Sequence, residues 1–314
     1  MDEKEKMPVN KVKKIKIFLS ASLRPRAVLI TLFSMLIISC SRQVSNDSIL
    51  IAVSIPPQKW FVSQIAGDKA DVLILVPPEQ NPHNYEPSPR QIKSLSGASA
   101  WILSGSEFEI SLRPKIEGLF PNLKIIDGTA GVNFRRLEDH DHHEAQQIVH
   151  SALEIDRHTW LGREPAKILA FHIGDFLSVT DKENGDYYRQ RYENLCREID
   201  IEFDKLRITL APLNGRTVFV YHPSFGYFFD EFGINQEAVE TGGKEPGPKQ
   251  LNELIHKLTE EKAFVIFVQA QFPVNTAKTL ADAAGAQVII LDPLAEDWME
   301  NIRLMGKALQ RTIQ

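Results

Sequence analysis

Imidazole and carboxylate groups set the chemistry available to this 314-residue chain, which has nine histidines and two cysteines. Cys40 and Cys196 form no CxxC pair or thiolate cluster, so a metal site here must use His and Asp or Glu. The sequence carries no HExxH, GxSxG or P-loop signature, which removes the usual motifs of zinc proteases, serine hydrolases and nucleotide hydrolases. Three histidines stand out by position. His83 lies in "QNPHNYEPSPRQI" (80–92), where Pro82, Pro87 and Pro89 rule out a regular helix or central strand. His158 lies in "EIDRHTWLGREP", just before a helix predicted to start near Glu164. His222 directly follows the strand-like "TVFVY" and precedes Pro223. Asp292 ends another strand-like run, "QVIILD". In parallel α/β sheets, ligands gather beyond the carboxyl ends of the strands. His83, His222 and Asp292 satisfy that rule. Together with His158 they would make a four-coordinate site of three imidazoles and one carboxylate, a donor set suited to Zn²⁺.

The other histidines are weaker candidates. His140, His142 and His143 occur in "EDHDHHEA", an acidic, imidazole-rich tract that suits accessory, reversible metal binding. His172 and His256 fall in helical patterns and are expected to be ordinary helix residues; His150 carries no assignment.

The elements that must position these residues alternate regularly. Short apolar runs such as "ILIAVSI" (49–55), "DVLILV" (71–76), "AWILS" (100–104) and "KIIDG" (124–128) are separated by helical patterns. The same alternation recurs after residue 215. Continuous apolar runs between helices predict buried parallel strands in βαβ units. The expected fold class is therefore α/β: two (β/α)4-type lobes with parallel sheets, over 49–182 and 214–314, with the metal site in the cleft between them. The N-terminal lobe includes a His-rich loop at 138–150. Between the lobes, Tyr188, Tyr192, Leu195, Ile199, Phe203, Leu206 and Leu210 recur at spacings of three and four. That stripe predicts one long linking helix over 183–213, roughly 40 Å in length at 1.5 Å per residue. A single long helix would make a rigid spine that resists hinge opening.

The amino terminus reads as an export segment. Lys4, Lys6, Lys11, Lys13, Lys14, Lys16, Arg24 and Arg26 precede the apolar run "AVLITLFSMLII" (27–38), which is followed by Ser39 and Cys40. A basic region, a short apolar core and a small residue describe a signal peptide, expected over 1–39. The apolar run is shorter than the roughly 20 residues a spanning helix needs. "LIISC" resembles a lipobox, so Cys40 is expected to be lipidated, with 40–48 as a linker from the lipid anchor. Removing residues 1–39 leaves 28 basic and 38 acidic groups. That acidic balance excludes nucleic-acid binding, which needs a basic footprint, and suits cation capture.

At these residues the chain resembles a known family. "NPHNYEPSPRQIKSL" is similar to the D-P-H-x-Y-E-P-S-P signature of the zinc/manganese (cluster A-I) solute-binding lipoproteins of ABC importers. "SIPPQKWFVSQIAGDKADVLILVPP", "RHTWL", "FVYHPSFGYFFDEFGI", "KEPGPKQLNELI" and "LDPL" follow the same family in the same order. The resemblance implies two α/β lobes bridged by one long helix. It implies metal ligands at His83, His158, His222 and Asp292, with His222 pointing to the zinc subtype, since manganese members typically have Glu there. It further implies a periplasmic or cell-surface lipoprotein, expected to be monomeric, that hands Zn²⁺ to an ABC permease driven by a cytoplasmic ATPase. Three positions depart from the pattern: Asn81 stands where Asp is usual, Arg157 where proline is usual, and Gln269 where Glu is common. The competing readings are a manganese or iron receptor of the same family, a zinc-dependent hydrolase and a surface adhesin.

Overall fold

The computed structural model describes residues 48–137, 155–240, 246–272 and 274–313. The expected signal peptide, Cys40, nearly all of the anchor linker and the His-rich loop with His140, His142 and His143 lie outside the described residues.

Two four-stranded parallel sheets organise the chain, and both belong to one compact unit. The first contains β1 (Ile49–Val53), β2 (Ala70–Ile74), β3 (Ala100–Leu103) and β4 (Lys124–Asp127) in the order β2-β1-β3-β4. The second contains β5 (Thr217–Val220), β6 (Asn235–Ala238), β7 (Val265–Gln269) and β8 (Gln287–Leu291) in the order β6-β5-β7-β8. The two orders are the same when each half is numbered from its own first strand. Pairing is in parallel register throughout, for example Val53↔Ile74 and Val220↔Ala238. The central strand β3 is buried at all four positions, as a continuous apolar run covered on both faces should be.

Helices α1 (Pro56–Ala66), α2 (Pro89–Ser94), α3 (Glu107–Leu119) and α4 (Arg163–Thr180) accompany the first sheet. The long helix α5 runs over Gly185–Leu210, flanked by short 3-10 turns at Lys182–Asn184 and Ala211–Leu213. Helices α6 (Gly226–Asp230), α7 (Pro248–Glu260), α8 (Val274–Ala284) and α9 (Trp298–Gln310) follow.

The stripe on α5 explains why the two sheets share a core. Tyr188, Leu195, Ile199, Phe203, Leu206 and Leu210 are buried in a cluster that also holds Ile51 and Trp101 from the first sheet and Phe228 and Trp298 from the second half. Phe203 packs against Phe228, Phe232 and Trp298. Each such side chain contributes about 1.5–3 kcal/mol on burial. Ion pairs fasten α5 laterally: Arg163 meets Asp200 and Asp204 at 2.7 and 2.9 Å, and Lys167 meets Asp200 at 3.0 Å. At the far end α9 presses so close that a Cβ on Gly306 would lie 2.3 Å from a Leu206 methyl. The helix is a wall common to both sheets, which is why the halves are held against one another.

Candidate metal centre

The loop that carries His83 is pinned at three points. Ser88 caps α2, with Pro89 as the first helical residue. Gln91 closes the capping box and donates from Nε2 to the Leu75 carbonyl at 2.8 Å and to Tyr85 Oη at 2.7 Å. Asn81 Oδ1 accepts the His83 backbone N–H at 3.0 Å. That is the bond an aspartate would make in the same turn, so the amide at 81 keeps the turn and removes only the charge.

His158 opens a single 3-10 turn, Thr159–Leu161, ahead of α4. His222 follows the end of β5 and is 8% exposed. These three residues come from distant parts of the chain, yet their rings converge. His83 Nε2 lies 2.9 Å from His222 Nε2, which lies 3.2 Å from His158 Nε2. One ring nitrogen from each residue falls within 4.8 Å of the other two.

The opposite ring nitrogens all face carboxylates. His83 Nδ1 donates to Glu107 Oε2 at 2.9 Å, His158 Nδ1 to Asp156 Oδ1 at 2.8 Å, and His222 Nδ1 to Glu240 Oε1 at 2.7 Å. Burial pushes the Glu107 carboxyl up, but the hydrogen bond and charge of His83 outweigh it and hold the group at about 2. Burial acts on Asp156 in the same sense and is likewise outweighed, by His158 and by Arg135, so its pKa is lowered. An ionised carboxylate can only accept, so the proton of each neighbouring imidazole sits on Nδ1. In the neutral form of each ring, Nε2 then presents its lone pair to the other two. Burial holds His222 in this neutral form, with its pKa pushed down to about 4.

Three converging lone pairs repel one another unless a cation lies between them. Nitrogen ligands about 2.05 Å from a tetrahedral zinc ion stand roughly 3.3 Å apart. The observed separations of 2.9 and 3.2 Å lie close to, and slightly inside, that spacing. The donor set therefore fits a small N-preferring divalent ion. Carboxylate partners behind metal-binding histidines orient the ring and raise its basicity.

Asp292 stands one residue past β8, at the same mouth, but among the described residues its carboxylate does not join the three-imidazole group. Its Oδ1 accepts from Gln271 Nε2 at 2.7 Å and from the Leu294 N–H at 2.9 Å. Gln271 shares with His83, His158, His222, Phe272 and Leu294 the lining of a small, partly open pocket.

Arg157 Nη1 donates to the Gly105 carbonyl at 3.1 Å, and its Nε lies 3.8 Å from Glu107. The cation beside His158 in the sequence thus sits in space by the carboxylate that supports His83. Asp156 is completely buried; its second oxygen takes Arg135 at 2.8 Å, and Arg135 also reaches Asp230 at 2.9 Å. His172 lies on α4 and its Nε2 donates to the Ala130 carbonyl at 2.8 Å, away from the site; His256 lies on α7. Both are helix residues, as their sequence contexts predict.

The supporting carboxylates Glu107, Asp156 and Glu240 were not evident from sequence spacing. The signal that could have found two of them is the strand-end rule itself: Glu107 follows β3 and Glu240 follows β6. Asp156 stands two residues before His158 and also accepts its backbone N–H at 2.9 Å, an Asx-type turn.

Fold and site together define a two-lobed α/β receptor with a candidate metal-ion site of three histidines between its sheets. The chain belongs to the family described as zinc-uptake complex component A, periplasmic, whose family model matches residues 51–312. A putative metal-binding protein of Chlamydia trachomatis is 28% identical over 291 residues, covering 90% of this chain and 98% of that protein. The high-affinity zinc uptake system protein ZnuA of Bacillus subtilis is 26% identical over 260 residues, covering 81% of each. A crystal structure of ZnuA is 32% identical, with a TM-score of 0.78, covering 85% of this chain and 100% of that one. The family is one of substrate-binding proteins of transporters.

Proposed function

We propose that this chain is an extracytoplasmic receptor that captures Zn²⁺ through His83, His158 and His222 and delivers it to an ABC permease. The observation that carries the reading is the convergence of three Nε2 atoms, each backed by a carboxylate on Nδ1. Asp292 is the fourth ligand in this reading, and it reaches the ion by giving up its bonds to Gln271 and Leu294. Three neutral imidazoles and one carboxylate make a closed site, which suits capture and needs no open position for chemistry. Glu107, Asp156 and Glu240 are each committed to an imidazole, so they are not free to act as a base toward metal-bound water.

The finer features follow the same reading. Lipidation at Cys40 would tether a monomeric receptor to the outside of a bacterial membrane, where a permease and its cytoplasmic ATPase accept the ion. His140, His142 and His143 would add accessory, weak and reversible metal binding. The test is metal analysis of untagged protein, followed by competition between Zn²⁺ and Mn²⁺ and by affinity measurement in His83→Ala, His158→Ala, His222→Ala and Asp292→Ala. One equivalent of zinc, lost in each variant, is the expected result. Nitrogen-rich sites favour Zn²⁺ over Mn²⁺ intrinsically, so tighter manganese binding would overturn the zinc assignment. Zinc affinity unchanged in the histidine variants would overturn the site.

A further inference from the structure

We propose that Gln269 is a positioning residue for the metal ion, acting by clamping the backbone of His222. The inference rests on the zinc-receptor reading and concerns how that site is held. Gln269 is the last residue of β7 and is fully buried. Its Oε1 accepts the His222 N–H at 3.1 Å, and its Nε2 donates to the His222 carbonyl and, at 3.0 Å, to Ser224 Oγ. The Ser224 N–H returns to the same His222 carbonyl at 2.8 Å. The peptide groups on both sides of the histidine are thus fixed by one side chain.

A primary amide fits all of these contacts, whereas a neutral carboxylic acid has one proton and could not donate to both the His222 carbonyl and Ser224 Oγ. The amide presents one acceptor and one two-proton donor on adjacent atoms, matching a backbone N–H and C=O. An ionised carboxylate is acceptor-only and would set an unpaired oxygen against the buried His222 carbonyl. The amide at 269 therefore does at this position what a carboxylate cannot.

The clamp completes the restraint of His222. Glu240 fixes its Nδ1, Phe272 stacks on the ring at 4.7 Å, and Gln269 holds the main chain. Productive ligand geometry tolerates about 0.5 Å and 10–20° of error. A ligand held at backbone, ring nitrogen and ring face loses little freedom when the ion arrives.

The first sheet holds a comparable buried glutamine, which ties two backbone N–H groups to a carbonyl of a neighbouring strand. Gln58 is fully buried; its Oε1 accepts the Ser54 and Ile55 N–H groups at 2.8 and 3.1 Å, and its Nε2 donates to the Ile102 carbonyl at 3.2 Å. It closes the end of β1, where no metal ligand sits. Gln58 is therefore an internal control that separates loss of fold from loss of metal.

The experiment measures zinc affinity by chelator competition, and the melting temperature of the metal-free protein, in the full chain. Gln269→Glu and Gln269→Met are expected to weaken zinc binding about 10–100-fold, the range for loss of a supporting group behind a ligand. Gln58→Met is expected to lower the melting temperature of the metal-free protein comparably while leaving zinc affinity within about twofold. Ser224→Ala removes only one partner of the amide and keeps the test alive if Gln269→Met does not fold; about a threefold loss of affinity is expected. Zinc affinity in the Gln269 variants that falls no more than in Gln58→Met, or unchanged affinity in Ser224→Ala, overturns the clamp. His222→Ala separates the two levels. If it still binds zinc as tightly as the unaltered protein, the metal-site reading falls and the clamp with it. If it loses zinc while the Gln269 variants do not, the clamp alone is wrong.

Discussion

The two sheets share one strand order but exchange the roles of their strand ends. In the first sheet the proposed ligand His83 follows the edge strand β2, and its support Glu107 follows the central strand β3. In the second sheet the proposed ligand His222 follows the central strand β5, and its support Glu240 follows the edge strand β6. The two halves also differ in solvent exposure. The His83 and Glu107 side chains are 28% and 40% exposed, whereas those of His222 and Glu240 are 10% and 3% exposed. The second half buries proposed ligand and support alike, whichever strand each follows, and adds a backbone clamp at His222. A ligand on an edge loop must be stiffened by prolines and an Asx turn instead. The centre thus has one rigid wall and one wall that faces water.

That asymmetry orders the expected effects. His222→Ala should cost the most, more than about 100-fold in zinc affinity at pH 7, because it removes a buried ligand that water cannot replace in kind. His83→Ala should cost less, because solvent can fill the vacated position. Competition with a calibrated chelator checks both, and a larger loss for His83→Ala would break the comparison. Next come the supports. Glu240→Gln should weaken zinc about 10–100-fold, and Glu107→Gln should fall at or below the low end of that range. Equal losses for the two would show that exposure does not grade the supports.

The third expectation concerns pH and the metal-free protein. The ordinary histidine value of 6.5 is depressed to about 4 at His222, chiefly by burial. In the unfolded chain this histidine takes up its proton as pH falls through 6.5, while the folded protein resists until about 4. Stability from this group is therefore complete above pH 6.5 and is lost as pH falls toward 4, by up to about 3 kcal/mol. Thermal unfolding across this window should steepen in the unaltered protein and flatten in His222→Gln. An unchanged pH slope in the variant would show that the buried wall is not the acid-sensitive one. The smallest effect is expected at the edge loop. Pro87→Ala frees the chain before binding by about 0.4–1 kcal/mol, or two- to fivefold in affinity, if loop stiffness serves the exposed wall. No measurable change would mean that Asn81 and Gln91 alone hold the loop.

Much of this was legible in the chain. The alternation of apolar runs and helical patterns predicts two parallel sheets, and the stripe from Tyr188 to Leu210 predicts the long helix. The structure has both, with strand ends at Val220 and Leu291 beside His222 and Asp292. These features are local: side-chain periodicity reports which face of an element is buried. The three sequence departures were legible as substitutions but not as contacts. Asn81 keeps its turn, Gln269 meets the backbone of His222, and Arg157 turns toward Gly105 and Glu107.

What the sequence by itself determined is the set of elements and the residues that stand at their ends. The tertiary structure alone decided which of those residues meet. His83 and His222 are 139 positions apart, and the contact between their rings exists only because two sheets pack against one shared helix. The same packing selected Glu107 and Glu240 as partners from among many acidic residues, and tied Asp292 to Gln271 outside the imidazole cluster. The reason is physical. Periodicity and turn chemistry act over a few residues, whereas the meeting of strand ends depends on sheet order and on the burial that presses one sheet toward the other.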